Sequence, residues 1–486
     1  MNRLVEKIPV NILVTLLLLI YLTVITYGLV NDKQNLVLAA SSLALLPIAI
    51  FFFVFRLKLL GLATAFIIPL SVKIPVGSGS ILSFPAEALV LAIAVVFLVY
   101  ILVREKGVDT KILRHPLSVL ILLDLSWSVF TGMLGEMPFI SFKRILIKLI
   151  FIIVFYFLFL EAFSNRKNMK LVWILYAFGL IIPISWTIYN HSHYDFSKVV
   201  AFLMPLPFYN DHTLYATCIA FILPVIILFG LRPGWFGMTK RWRFVFIPLT
   251  ILLITGEFFS FSRAAWLSIV AGMLAGSLVV FLRFRAVHLL LLVLAGAAVL
   301  AYYSRDIYLY AEKVDSVSRH EDVGEHMRSV INLQTDASNL ERINRWQCAI
   351  RMFNDRPVTG FGPGTYMFVY GRYQVTTEMT RISTNHGEKG NAHSEYLMYL
   401  SETGLPGLII FLLLIYIAAA KAIRIFRSSE DKAVKWLVLA ILIGFISYIF
   451  HGNFNSFIDT DKASVLFYGA LATIAAIDIY HTRDVI

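Results

Sequence analysis

Residues 391–407 read NAHSEYLMYLSETGLPG, and they close a mostly polar run, 304–404, in a chain that otherwise reads as back-to-back membrane helices. In a bilayer protein, irregular backbone survives only outside the hydrocarbon or against a water-filled cavity. A long polar segment ending on a His-bearing helix therefore points to chemistry at a membrane surface. Asn391 is placed to cap that helix, with His393 in its first turn, Glu395 near the positive helix end, and Leu397, Leu400 and Leu405 leading toward the next span. A helix N-terminus disfavours imidazolium, so His393 is expected to be neutral at about pH 7 and able to accept a proton.

Composition supports this division of labour. The 486 residues are 59% hydrophobic and 15% charged, against a soluble average of about 25% charged, which makes the chain a polytopic membrane protein. Its 42 Lys and Arg exceed 30 Asp and Glu, for a net charge of +12; in a membrane protein that excess is first a matter of sidedness, and nucleic acid is not expected as a partner. The two cysteines, Cys218 in an apolar run and Cys348 in the polar segment, give neither a disulfide framework nor a zinc spacing, so no metal is expected. The N-terminal apolar stretch is too long for a signal-peptide core and is read as a retained first helix.

With about 20 residues per crossing, spans are predicted near 9–30, 36–55, 57–72, 85–103, 115–132, 140–163, 171–189, 212–231, 244–261, 264–282, 286–303, 405–420, 434–450 and 463–480. The expectation is an all-α fold of twelve to fourteen transmembrane helices: a bundle over 1–303, a large helical extracytoplasmic loop over 304–404, and C-terminal helices over 405–486. Alternate connections are basic, including Arg104 to Arg114, Arg166 to Lys170, Arg232 to Arg243 and Lys421 to Lys435, and the positive-inside rule makes those ends and both termini cytoplasmic. The polar clusters of interest fall on the opposite side.

Lys143, Arg144 and Lys148 begin a helix on the side where basic residues should be sparse, and Arg144 and Lys148 share a face. They suit an anion, with snorkelling to headgroups as the plainer alternative. Arg263, in EFFSFSRAAWLSI (257–269), stands far from other basic residues between two apolar runs; a guanidinium there suits bidentate contact with phosphate oxygens. His212 follows Asn210 and Asp211 at a helix entry. A cap accounts for Asp211 and leaves His212 as a residue lining the site. In ERINRWQCAIRMFNDRP (341–357), an apolar stripe marks an amphipathic helix with Arg342, Arg345 and Arg351 mostly on its other faces. Pro357 ends it before the glycine-rich turn GFGPGTY (360–366).

FSRAAW (261–266), RINRWQCAIRMFNDRPVTGFGPGTY (342–366) and HSEYLMYLSETGLPG (393–407) occur in that order around a large loop. Together they resemble the O-antigen ligase and polymerase superfamily of bacterial envelope glycosyltransferases. The resemblance implies a GT-C-like membrane fold in the bacterial inner membrane, working at its periplasmic face. It further implies a metal-independent, cofactor-free inverting transfer of a glycan from an undecaprenyl diphosphate carrier to an acceptor hydroxyl. The acceptor would be lipid A-core for a ligase, or a lipid-linked glycan chain for a polymerase. In the ligase pattern His393 is the base or acceptor-orienting group and Arg263 a diphosphate contact. A second arginine expected before the eighth helix is replaced here by Asn210, Asp211 and His212, so Lys143, Arg144 or Lys148 would have to stand in. Arg351 and Gly362 have a spacing found in polymerases.

Two rival classes remain open at this point. An anion transporter of the bicarbonate type would use the same cations, although no inverted repeat or paired broken helices are visible. A non-enzymatic assembly accessory would leave His393 dispensable.

Overall fold

The computed structural model describes residues 56–76, 80–104, 109–288, 290–291, 326–380, 383 and 390–481. The chain divides into two units, 1–60 and 61–486. The spans predicted near 9–30 and 36–55, and most of that near 286–303, lie outside the described residues.

Helix α1 (Leu57–Leu70) leads into a two-stranded antiparallel hairpin, β1 (Val72–Val76) and β2 (Ser80–Phe84), where the sequence had suggested only a loop. The other principal helices are α2 (Ala86–Val103), α3 (Pro116–Leu134), α4 (Pro138–Phe151), α5 (Arg166–Ser192), α6 (His212–Leu231), α7 (Arg243–Phe258), α8 (Arg263–Phe281), α9 (His326–Asp355), α10 (Glu395–Ser428), α11 (Lys432–His451) and α12 (Asp461–Ala476). A π-helical turn, Ile152–Leu158, extends α4 to Ala162. Among the described residues nine helices are long and apolar enough to cross a membrane. The fold is an all-α polytopic membrane protein.

Local chemistry sets the starts of these helices. Asp211, Ser262, Ser394, Asp431 and Thr460 each place a side-chain oxygen on a first-turn amide of α6, α8, α10, α11 and α12 respectively, satisfying donors that have no intrahelical partner. Packing then relies on close approach, because hydrophobic burial gives little drive between helices already in lipid. Ile443 of α11 lies over Gly272 and Gly276 of α8, and Gly444 of α11 lies against the Phe221 carbonyl of α6. Helix α12 is buried along its whole length and forms the centre of the bundle.

Alternation places the starts of α4, α6, α8, α10 and α12, and the ends of α3, α5, α7 and α11, at one end of the bundle. At the opposite end charges pair among themselves: Asp478 receives Lys421 at 2.7 Å and Arg424 at 2.5 Å, and Arg166 meets Asp431 at 2.6 Å.

Helix α9 ends at Asp355, as Pro357 required, and Gly360, Gly362 and Gly364 all adopt positive φ in the turn that follows. This turn docks on α10: the amides of Phe361 and Gly362 donate to the carbonyls of Ser401 and Glu402, and the Glu402 carboxylate accepts from Gly364 and Tyr366 at 2.8 and 3.0 Å. There α10 is kinked at Gly404, with φ 70°. The predicted boundary near 404 is thus a kink within a helix that begins at Glu395.

Candidate functional site

The His393 segment is built by short-range hydrogen bonds. Asn391 does not cap α10; its Oδ1 accepts the His393 amide at 3.0 Å, and His393 takes φ 47° ahead of the helix, which Ser394 caps. An Asx turn has won over the expected cap because Asn tolerates and stabilises such turns. Trp346 of α9 donates its indole N–H to the His393 carbonyl at 3.3 Å, and Arg345 donates to the Asn391 carbonyl at 3.2 Å. The ring itself is largely enclosed, and its Nδ1 is buried without a hydrogen-bond partner among the described residues. Burial, with Arg345 and Arg342 adding to it, lowers its pKa to about 4 against the opposing pull of Asp211 and Asn455. His393 is therefore neutral at neutral pH, as anticipated, but the cause is desolvation and two guanidiniums rather than a helix terminus.

Around this ring the structure gathers residues from four elements. Asp211 caps α6 through Thr213, at 2.7 Å to its amide, and His212 follows it. Arg342 of α9 lies in the fields of Asp211 and Arg263, and burial lowers its pKa; His212 lies in the field of Arg342. Arg263 is the exposed first residue of α8, behind a Phe261 with φ 52°. Among the described residues no carboxylate pairs with it. His393, His212, Arg342 and Arg263, all selected from sequence, thus converge at one end of the bundle.

Two members escaped the sequence reading. His451, the last residue of α11, and Asn455 in the turn after it are 1% and 2% exposed, with Nε2 of His451 and Nδ2 of Asn455 2.9 Å apart. His451 ends an apolar helix and Asn455 is one of several polar residues in the turn that follows, so neither gives a local signal of chemistry.

Other expected substrate contacts are occupied by protein. The Glu395 carboxylate accepts from the amides of Phe457 and Ile458 at 2.6 and 2.7 Å and from Ser456 at 3.0 Å; it clamps α10 to the α11–α12 turn. Arg345 pairs with Glu341 at 2.9 Å and lies over the Tyr370 ring, and Arg351 holds Glu378 at 2.5 Å and the Tyr373 carbonyl at 2.9 Å. The spacing of Arg351 and Gly362 thus corresponds to an internal tie.

Lys143 is exposed on α4, whereas Arg144 meets Asp459 at 2.8 Å and Lys148 meets Asp124 at 2.6 Å. Both cations line a cleft with about 410 Å³ of unfilled space, shared with Glu395, Tyr399, Glu402 and Asp459. Four carboxyl groups thus face these two cations in and around the cleft. Among the described residues no group of three or more His, Cys, Asp or Glu is arranged to hold a metal ion.

The class these features define is a many-helix membrane protein that gathers histidines and arginines at one end of its bundle, beside the loop that carries α9. Residues 248–412 match the O-antigen ligase family model, so this part of the chain is similar to O-antigen ligases. The match runs from the middle of α7 through the first turns of α10 beyond its kink, and so includes Arg263, Arg342 and His393. It supports an O-antigen ligase or polymerase type of activity on lipid-linked glycans. No curated protein matches the chain.

Proposed function

We propose that the protein is a glycosyltransferase that moves a glycan from an undecaprenyl diphosphate carrier to an acceptor hydroxyl, with lipid A-core as the acceptor, at the periplasmic face of the inner membrane. The observation that supports this reading best is the convergence of His393, Arg342 and Arg263, from three distant parts of the matched domain, on one polar site.

In this mechanism the neutral His393 accepts a hydrogen bond from the acceptor hydroxyl through Nδ1. The hydroxyl oxygen attacks the anomeric carbon from the face opposite the diphosphate, the anomeric carbon–oxygen bond breaks, and the hydroxyl proton passes to His393. Inversion follows from that single displacement. Arg263, exposed and without a carboxylate partner among the described residues, meets the diphosphate as its charge grows, and Arg342 supplies a second positive field. The position of Arg342 fills the need for the second cation better than Arg144 or Lys148, which already face carboxylates.

The test is deletion of the gene with complementation by wild type or His393→Ala, followed by gel analysis of surface glycans. Loss of lipid A-linked chains with accumulation of long carrier-linked chains is the expected result, and His393→Ala should fail to restore them at normal membrane abundance. Single-repeat products would instead assign the polymerase reaction with the same donor. Restoration by His393→Ala to the wild-type level would overturn the catalytic role.

A further inference from the structure

His191, the penultimate residue of α5, is fully buried at the end of the bundle that holds Arg263. Its Nε2 is 2.8 Å from the Ser197 carbonyl oxygen, which can only accept, so Nε2 carries the ring proton. Nδ1 is buried with no hydrogen-bond partner among the described residues. Three phenyl rings pack on the imidazole, with centroids at 5.4 Å for Phe196, 6.0 Å for Phe259 and 5.8 Å for Phe261. Phe196 and Phe259 in turn stack at 4.4 Å.

The two segments that supply these rings are both bent. Asp195 and Phe196 have φ 49° and 54°, which is uncommon for residues other than glycine, and the Phe196 amide donates to the His191 carbonyl at 3.1 Å. Phe261 has φ 52° in the α7–α8 turn, two residues before Arg263. A bulky residue keeps such a conformation only where its surroundings hold it. The hydrogen bonds inside this turn are long, 3.4 Å from the Phe261 amide to the Phe258 carbonyl and 3.2 Å from the Ser262 amide to Ser260 Oγ. The firmer hold on Phe261 is its ring, packed against the enclosed His191.

We propose that His191 is a positioning residue: through the Phe261 ring it fixes the backbone from which Arg263 reaches the lipid diphosphate. This rests on the proposed transferase function. The hydrogen bond to Ser197 sets the plane of the imidazole, and the phenyl rings packed on it carry that plane to the α7–α8 turn. A guanidinium must be aligned to meet two phosphate oxygens at once, and a misplacement of about 1 Å can cost on the order of 100-fold in rate. If the aromatic box served stability alone, its loss would add to the loss of Arg263. A residue that acts through Arg263 has nothing to act on once that guanidinium is gone.

The experiment measures kcat and donor KM for the purified full-length protein with a lipid diphosphate-linked glycan donor and a lipid A-core acceptor. His191→Leu fills the box without the Nε2–H donor, and kcat/KM should fall on the order of 10-fold to 100-fold. His191→Gln, whose Nε2 can still donate to Ser197, should recover much of that loss. In the Arg263→Ala background, His191→Leu should change the residual rate by no more than about twofold, because the two positions act as one unit. Wild-type kcat/KM in His191→Leu, no recovery in His191→Gln, or a loss of undiminished size in the double variant overturns the proposal. If His191→Leu does not accumulate in membranes, Phe261→Leu, which opens the box from the side of α8, decides by the same comparison with Arg263→Ala. Full activity in Arg263→Ala would instead remove the diphosphate role on which the transferase mechanism depends, which separates the two failures.

Discussion

His393 carries two separable consequences of its surroundings. An unfolded-state histidine titrates at about 6.5 and the folded ring at about 4, so between these values the unfolded chain binds the extra proton. The contribution of this group to stability is complete above the unfolded value and is lost as pH falls from there through the folded value. For the same reason kcat/KM should be level across neutral pH, with no limb near 6.5, and should drop only as pH falls toward 4; a limb near 6.5 in a pH–rate profile would show that the ring is not desolvated during turnover. So weak a base acts chiefly by orienting the hydroxyl and receiving its proton late, which leaves much of the rate to charge stabilisation. Arg263→Ala should accordingly cost on the order of 100-fold to 1000-fold in rate, and Arg263→Lys should recover little of it because an ammonium cannot make the bidentate contact. Arg263 was visible in the sequence because it is charged between two apolar runs, and His393 because it closes a long polar segment at the start of an apolar helix. His451 and Asn455 were not, since one ends an apolar helix and the other resembles any turn residue.

At the scale of elements, the kink of α10 couples the roof of the site to the bundle. Gly404 has φ 70°, and a Cβ added there would run into the carbonyls of Val358 and Pro357. The Leu405 amide donates to that same Pro357 carbonyl at 2.8 Å, and Trp127 of α3 donates to the Thr403 carbonyl at 2.8 Å. Gly404→Ala should therefore destabilise by about 1–3 kcal/mol, the usual cost of a non-glycine residue in such a conformation, or more with the clash. Its thermal midpoint in detergent should fall well below that of Leu405→Ala, whose side chain is 46% exposed; equal midpoints would mean that the kink relaxes freely. Periodicity could place a helix on each side of Gly404, because leucines continue through it, but not the left-handed residue between them. Likewise Pro75 and the neighbouring glycines disguised the β1–β2 hairpin as a loop, and the Asx turn at Asn391 imitated a helix cap. Spans set by hydropathy alone fared differently: α6 runs from His212 to Leu231, as predicted from its apolar length.

At the scale of the whole molecule, charge is sorted between the two ends and paired where it is buried. Lys148 and Asp124, with side chains 11% and 5% exposed, meet at 2.6 Å within the bundle. Removing one partner of a buried pair leaves an uncompensated charge and typically costs about 3–5 kcal/mol, whereas replacing both with apolar residues of similar size is often neutral. Lys148→Met alone should thus lower the thermal midpoint sharply, and adding Asp124→Leu should restore it without an electrostatic change at His393. The sorting of the remaining charges leads to a prediction about sidedness. Lys240, Lys421, Arg424 and Lys432 lie at the end opposite His393, and an excess of Lys and Arg marks the cytoplasmic side. Lys143, exposed at the start of α4, shares the end that holds Arg263. With the native cysteines, both buried, changed to Ala, a membrane-impermeant maleimide should label Lys143→Cys in cells whose outer membrane alone is permeabilised. Lys432→Cys should react only once the inner membrane is opened. The reverse pattern would put His393 on the cytoplasmic side, away from any periplasmic acceptor, and would remove the physical basis for a ligase while leaving the paired core of the bundle untouched.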